Sequence, residues 1–123
     1  MKVILVVDDN KETTDMVKLM LELNNYGCTT ANSGRDCLAA VEERKFDLVL
    51  LDLAMPAMNG LEVLEKLKKD NMLAKNKIVL FTASAIYTDM DLEEIKKNYG
   101  AVDRMRKPFT EQELINIIET HTA

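Results

Sequence analysis

Residues 46–60 read FDLVLLDLAMPAMNG. The first six are almost entirely apolar and stop at Asp52. An apolar run without polar alternation predicts a strand covered on both faces, as in a parallel sheet. The loop that follows holds Met55-Pro56 and ends at Asn59-Gly60, both read as turn geometry. Beyond it, Leu61, Leu64 and Leu67 recur at helical spacing.

Outward from this stretch the same unit repeats. Residues 2–7 form a second buried run, ended by Asp8-Asp9-Asn10. Met16, Leu19, Met20 and Leu23 then predict the apolar face of a helix, with Gly27 after it. Residues 28–31 read as a weak strand. Ser33 and Asp36 resemble a capping box, opening a helix to about Arg44 with Leu38 and Val41 inward. Residues 77–81 (KIVLF) give a fourth strand that stops at Thr82. Leu92, Ile95 and Tyr99 mark a helix closed by Gly100. Residues 101–105 give a short fifth strand, followed by Arg106-Lys107-Pro108-Phe109. Thr110 and Glu113 form a second capping box, for a helix with Leu114, Ile117 and Ile118 inward. Five such strand–helix units, (βα)5, imply an α/β fold with a doubly wound parallel five-stranded sheet.

The chain has 123 residues, the size of one domain, and residues 1–123 are read as that domain with no output domain after the fifth helix. With a net charge of -5 and no basic tract, direct nucleic-acid binding is not expected. No apolar run approaches the roughly 18 residues of a membrane span, and the opening residues lack a signal-peptide cleavage site. Cys28 and Cys37 fall in no metal or redox motif, and two reduced thiols imply a cytoplasmic protein. The one histidine is His121, at the tail.

Polar residues gather after every strong strand: Asp8 and Asp9, Asp52, Thr82 and Lys107. In an open parallel sheet these ends share one edge, where ligands bind. If the first and third strands are neighbours, three carboxylates converge. Like charges at contact distance repel by several kcal/mol at reduced dielectric, so they must share a proton or hold a hard cation. Oxygen ligands alone suit Mg²⁺. A lysine and a hydroxyl added to that set fit a phosphoryl group, with a carboxylate as the nucleophile.

The strings VVDDN (residues 6–10), LLDLAMPAMNG (50–60), FTASA (81–85) and GAVDRMRKPF (100–109) together resemble the landmarks of response-regulator receiver domains of two-component signalling, in order and over essentially the whole chain. The resemblance implies a flavodoxin-like strand order, 2-1-3-4-5, the order known for chemotaxis receivers. It implies that Asp52 is the phosphoacceptor, that Asp8 and Asp9 form the acid pocket, and that Asp9, Asp52 and the backbone carbonyl of Ala54 bind Mg²⁺ directly. It makes Thr82 the switch hydroxyl, Lys107 the phosphate-binding lysine and Lys107-Pro108 a cis bond. It implies a histidine kinase or phosphotransfer protein as donor, and an unidentified protein target. Binding to that target would switch through the face formed by the fourth helix, fifth strand and fifth helix. Catalysis would extend only to the chain's own phosphorylation and dephosphorylation.

The chain departs from the family at Arg104, three positions before Lys107, where an aromatic residue is usual. A guanidinium is costly to bury unpaired, so Arg104 is expected to stay on that face, available to a partner's acidic group. Tyr87 is not assigned the vacant aromatic role. Ala54 and Ser84, two residues after Asp52 and Thr82, are small and imply an open site.

Each residue also has a plainer reading: solvated strand ends for Asp8, Asp9 and Thr82, a turn lysine for Lys107, core filler for the eight methionines. A phosphatase with an aspartyl nucleophile would commonly need a second acid two residues on, where Ala54 stands. A degenerate binding scaffold would not need all five polar residues, and neither G-x-x-x-x-G-K nor G-x-G-x-x-G occurs.

Overall fold

Each predicted strand forms. The computed structural model describes residues 1–73, 75–83 and 91–123. In chain order the elements are β1 (Val3–Val7), α1 (Lys11–Leu23), β2 (Gly27–Ala31), α2 (Gly34–Glu43), β3 (Leu48–Asp52), α3 (Gly60–Lys69), β4 (Ile78–Thr82), α4 (Leu92–Glu94, continued by a π-helical turn at Ile95–Tyr99), β5 (Asp103–Arg106) and α5 (Glu111–Thr122). The strands pair in the order β2-β1-β3-β4-β5, all parallel. This is the flavodoxin-like order, and β1 and β3 are neighbours, with Val7 opposite Leu51.

The apolar strands serve two cores because successive side chains point to opposite faces. Leu5, Val7, Val49, Leu51, Ile78 and Leu80 face one way, against Cys37 and Val41 of α2, Val63, Leu64 and Leu67 of α3, and Ile95. Ile4, Val6, Leu48, Leu50, Val79 and Phe81 face the other, against Val17 and Leu21 of α1 and Leu114, Ile115 and Ile118 of α5. The two thiols are split between these cores, Cys37 in the first and Cys28 beside the second, and both are free. Burial pushes the Cys28 thiol up to about 11 and the Cys37 thiol up to about 12, so both stay protonated and unreactive near neutral pH.

Helix α1 turns a different face inward from the one expected. Helices α2 and α5 keep Val41, Leu114 and Ile118 inward and differ at one position each, with Cys37 buried in place of Leu38 and Ile115 in place of Ile117. In α1 the buried residues are Thr14, Val17 and Leu21, while Met16, Leu19 and Leu23 are 46%, 59% and 70% exposed. The helix carries two overlapping apolar stripes, and the one through Thr14, Val17 and Leu21 turns in. The Asn10 side chain accepts from the Glu12 and Thr13 amides, fixing the helix's start and phase. Thr14 tolerates burial because its hydroxyl donates to the Lys11 carbonyl and accepts from Asn32. In α5, Ile115 is buried and Ile117 only partly so. The Thr110–Glu113 capping box forms as read. Asn59 does more than turn the chain: it caps α3 in a reciprocal box with Glu62. Asn76, buried between α3 and β4, accepts from the Phe46 amide at 2.9 Å and donates to the Met72 carbonyl at 3.3 Å. It ties the entry of β3 to the α3–β4 loop.

Gly60 fixes how the β3–α3 loop folds back on the strand end. A Cβ there would lie 2.5 Å from the Asp52 carbonyl oxygen and 2.8 Å from Leu53 Cα, both backbone atoms that cannot yield cheaply. Helix propensity alone would favour alanine by about 1 kcal/mol. Overpacking costs about 1–3 kcal/mol, and more where backbone must move. Gly60→Ala is therefore expected to lower the thermal midpoint by several degrees. An unchanged or raised midpoint in a melting experiment would show that the loop is looser than the geometry indicates.

Candidate functional site

The sheet places every predicted site residue on one edge. Asp8 and Asp9 follow β1, Asp52 ends β3, Thr82 ends β4, and Lys107 lies just beyond β5. With Val7 paired to Leu51, Asp8 and Asp52 leave adjacent strands side by side. Carboxylate oxygens of Asp8, Asp9 and Asp52 lie within 4.8 Å of one another. Asp8 and Asp52 are buried and Asp9 is exposed, so the group forms the wall and lip of a crevice.

One cation bridges two of these acids. The Lys107 ammonium pairs with Asp8 Oδ2 and lies 3.5 Å from Asp52 Oδ2. It also stands 4.5 Å from the centre of the Phe81 ring, and Phe109 meets that ring edge-on at 6.2 Å. The Lys107 amide donates to the Thr82 carbonyl at 3.1 Å, and the Lys107-Pro108 bond is cis. One ammonium does not balance three carboxylates. Burial, reinforced by the Asp8 charge, holds the Asp52 carboxyl above its ordinary range, while Lys107 and the Ala54 amide pull the other way.

The loop after β1 is held by polar residues that the sequence reading passed over. The Asn10 amide donates to Asp8 Oδ1 at 2.9 Å, leaving Oδ2 for Lys107. Asn32 Nδ2 donates to the Asp8 carbonyl at 2.8 Å, and the Asp8 amide donates to the Ala31 carbonyl at 3.1 Å. The sequence signal for Asn10 was an N-cap residue directly after a strand-end acid pair; Asn32 lies too far along the chain to carry one. Ala54 contributes its amide, which donates to Asp52 Oδ1 at 3.2 Å. Thr82 is buried beside this edge. Ser84 and Tyr87 lie outside the described residues.

The donor set suits a hard divalent cation. It offers only oxygen, and two oxygens on opposite sides of such an ion are roughly 4–5 Å apart, so one ion spans the group. Arg104 stays on the α4–β5–α5 face, as expected, and is partly buried there, lining a cavity that Thr82 and Ile95 also line. On β5 it is in register with Leu80 of β4. No described helix is long and apolar enough to cross a membrane.

Comparison with known proteins agrees with this geometry. The family model described as the response regulator receiver domain matches residues 4–119. The phosphate regulon transcriptional regulatory protein PhoB of Pseudomonas aeruginosa is 33% identical over 114 residues, 93% of this chain and 48% of that protein. A CpxR homolog of Haemophilus influenzae is 36% identical over 115 residues, 94% of this chain and 48% of that protein. The chain thus spans about half the length of these relatives. Among solved structures, the response regulator TrrA of Thermotoga maritima, in complex with Mg²⁺ and BeF, superposes with a TM-score of 0.82 at 33% identity, covering 98% of each chain. The chemotaxis protein CheY4 of Vibrio cholerae superposes with a TM-score of 0.85 at 27% identity, again over 98% of each. An acid triad, a lysine and a threonine gathered at the edge of a 2-1-3-4-5 sheet, with a family match across nearly the whole chain, place this protein in the response regulator receiver domain family of two-component signalling.

Proposed function

We propose that this receiver accepts a phosphoryl group on Asp52 from the phosphohistidine of a histidine kinase or phosphotransfer protein. The observation that carries this reading is the convergence of the Asp8, Asp9 and Asp52 carboxylates with the Lys107 ammonium in one crevice. An Asp52 oxygen attacks phosphorus, the phosphorus–nitrogen bond breaks, and the leaving imidazole takes up a proton. Asp8, Asp9, Asp52 and the Ala54 carbonyl would hold Mg²⁺. When bound, Mg²⁺ supplies neutralisation of the transferring oxygens. Lys107 already sits against Asp52 and would follow the charge onto the phosphoryl oxygens. Thr82 would donate its hydroxyl to one of them.

Phosphorylation then shifts the equilibrium of the face formed by α4, β5 and α5 by a few kcal/mol, enough to change affinity for a protein target. Residues 1–123 act in this reading as one receiver unit, in the cytoplasm and without direct contact to nucleic acid or membrane. Catalysis is confined to the chain's own phosphorylation and dephosphorylation.

Incubation with Mg²⁺ and acetyl phosphate, followed by intact mass, tests the acceptor. The native chain should gain one phosphate-sized increment and Asp52→Asn none; a gain that survives in the variant reassigns the acceptor. Lys107→Ala should keep the rise in thermal midpoint on adding Mg²⁺, since it removes a competing cation rather than a ligand, while losing most of the mass gain at fixed time. Loss of the Mg²⁺ response in that variant would contradict the role given to the lysine.

A second test follows from the raised Asp52 carboxyl. Folding disfavours its ionised form, so the folded state binds more protons and stability falls as pH rises from the ordinary carboxylate range through the raised one. Metal-free Asp52→Asn should therefore melt a few degrees above the native chain at neutral pH. The gap should close at pH values below the ordinary carboxylate range. A gap that persists there, or a variant less stable at neutral pH, would show that burial is not what raises the group.

A further inference from the structure

On the face of the sheet opposite Lys107, the ends of β4 and β5 border a cavity of about 260 Å³. Leu53, Leu80, Thr82, Ile95, Arg104 and Arg106 line it. Its walls are largely apolar, yet two arginines reach it. Among the described residues, Arg104 Nη1 is a buried side-chain nitrogen with no hydrogen-bond partner. A buried charged donor left unpaired costs more than the ~1–3 kcal/mol of a neutral one. Among the described residues, the acids Asp103 of β5 and Glu113 of α5 are already engaged. Asp103 Oδ1 accepts from the Arg104 amide at 2.8 Å and Oδ2 meets His121 at 2.8 Å, while Glu113 accepts from Thr110 at 3.1 Å in the α5 capping box.

We infer that this cavity is a carboxylate-recognition pocket, and that its occupant is an Asp or Glu side chain on a partner protein's segment with apolar flanks. The inference rests on the switch reading above and names the chemistry of the target. A guanidinium presents a planar fork that matches a carboxylate with two parallel hydrogen bonds, and completing Nη1 removes the penalty of leaving it bare. Leu53, Leu80 and Ile95 give a free small anion nothing to bury, whereas an apolar neighbour of the acid fills that space. Arg104 and Arg106 also border a second, more open hollow of about 420 Å³ against α5, with Glu113, Asn116, Ile117 and Thr120. The donor surface of the two arginines therefore continues across β5, with Glu113 at its α5 border, in a chain of net charge -5. The pocket shares Thr82 with the phosphorylation site, and Leu53 directly follows Asp52. Phosphorylation would thus reshape two of its walls.

The test uses the full chain activated with Mg²⁺ and beryllofluoride, and a fluorescent peptide of alternating leucine and glutamate beside its glutamine counterpart. The glutamate peptide should bind at least about tenfold more tightly. Arg104→Met should reduce it to the glutamine level while melting at the same or a higher temperature, because an unpaired buried donor is gone. Arg104→Lys should retain only part of the preference, since the fork is lost but the charge is kept. Equal affinity for the two peptides, or a preference that survives Arg104→Met, would overturn the pocket. Complete displacement of the peptide by acetate would overturn the assignment to a protein segment. The acetyl phosphate mass gain is read separately. Its loss with peptide binding intact would overturn the acceptor assignment and leave the pocket standing.

Discussion

Three carboxylates converge within 4.8 Å of one another while one ammonium pairs with only two of them, and that imbalance governs the active edge. Lys107 pairs with Asp8 and approaches Asp52, while Asp9 stays in solvent. Any one of these acids alone would be an ordinary strand-end residue. Together they leave a surplus of negative charge that a single ammonium relieves only in part, while burial first and the Asp8 charge second hold the Asp52 carboxyl above its ordinary range. The same surplus makes the crevice receptive to a divalent cation and, after it, to a group whose own charge needs neutralising. The crevice exists because β1 and β3 are neighbours in a parallel sheet, so their ends open at the same level.

The imbalance persists because the groups around it are rigidly placed. Asp8 has one oxygen committed to the Asn10 amide, which in turn begins α1. Its backbone is fixed on both sides by Ala31 and Asn32. Asp52 is held by the Ala54 amide and by the close return of Gly60 against its carbonyl. Lys107 is held by the strand end at Thr82 and by the Phe81 ring beneath it. None of these supports carries charge. Repulsion among the acids is thus opposed by backbone hydrogen bonds and packing, and neither titrates near neutral pH.

Strands and site residues were legible in the sequence for a common reason. An apolar run that ends abruptly in Asp, Thr or Lys marks both a buried strand and what the strand delivers to the edge, as at residues 2–9, 46–52 and 77–82. The inward face of α1 was not legible. Met16, Leu19 and Leu23 and the pair Val17 and Leu21 are all apolar, and the buried stripe is the one that includes a threonine whose hydroxyl found partners. Tertiary hydrogen bonds of this kind, like those of Asn32 and Asn76, join residues 18 to 30 positions apart and leave no periodic trace. Arg104 keeps to the face expected of it, but one of its guanidinium nitrogens is buried there without a partner, a cost that the fold does not avoid.

That cost, left in place, is informative about how the two faces of the sheet are used. Phe81 and Met105 point to the α1–α5 side, where Phe81 supports Lys107. Leu80, Thr82 and Arg104 point to the other side, where the cavity opens. The β4–β5 edge therefore carries Lys107 beside Phe81 on one face and Arg104 and Arg106 beside the cavity on the other, with Thr82 bordering both regions. Interiors packed to crystal-like density transmit small displacements rather than absorbing them. A change in the position of Thr82 is felt one residue layer away, without any longer path through the domain. An aromatic ring in place of Arg104 would answer such a change by filling space; a guanidinium answers it by gaining or losing an acceptor. In the proposed switch, Arg104 would therefore move the readout from shape toward charge, while the crevice keeps the acid triad and lysine of the edge.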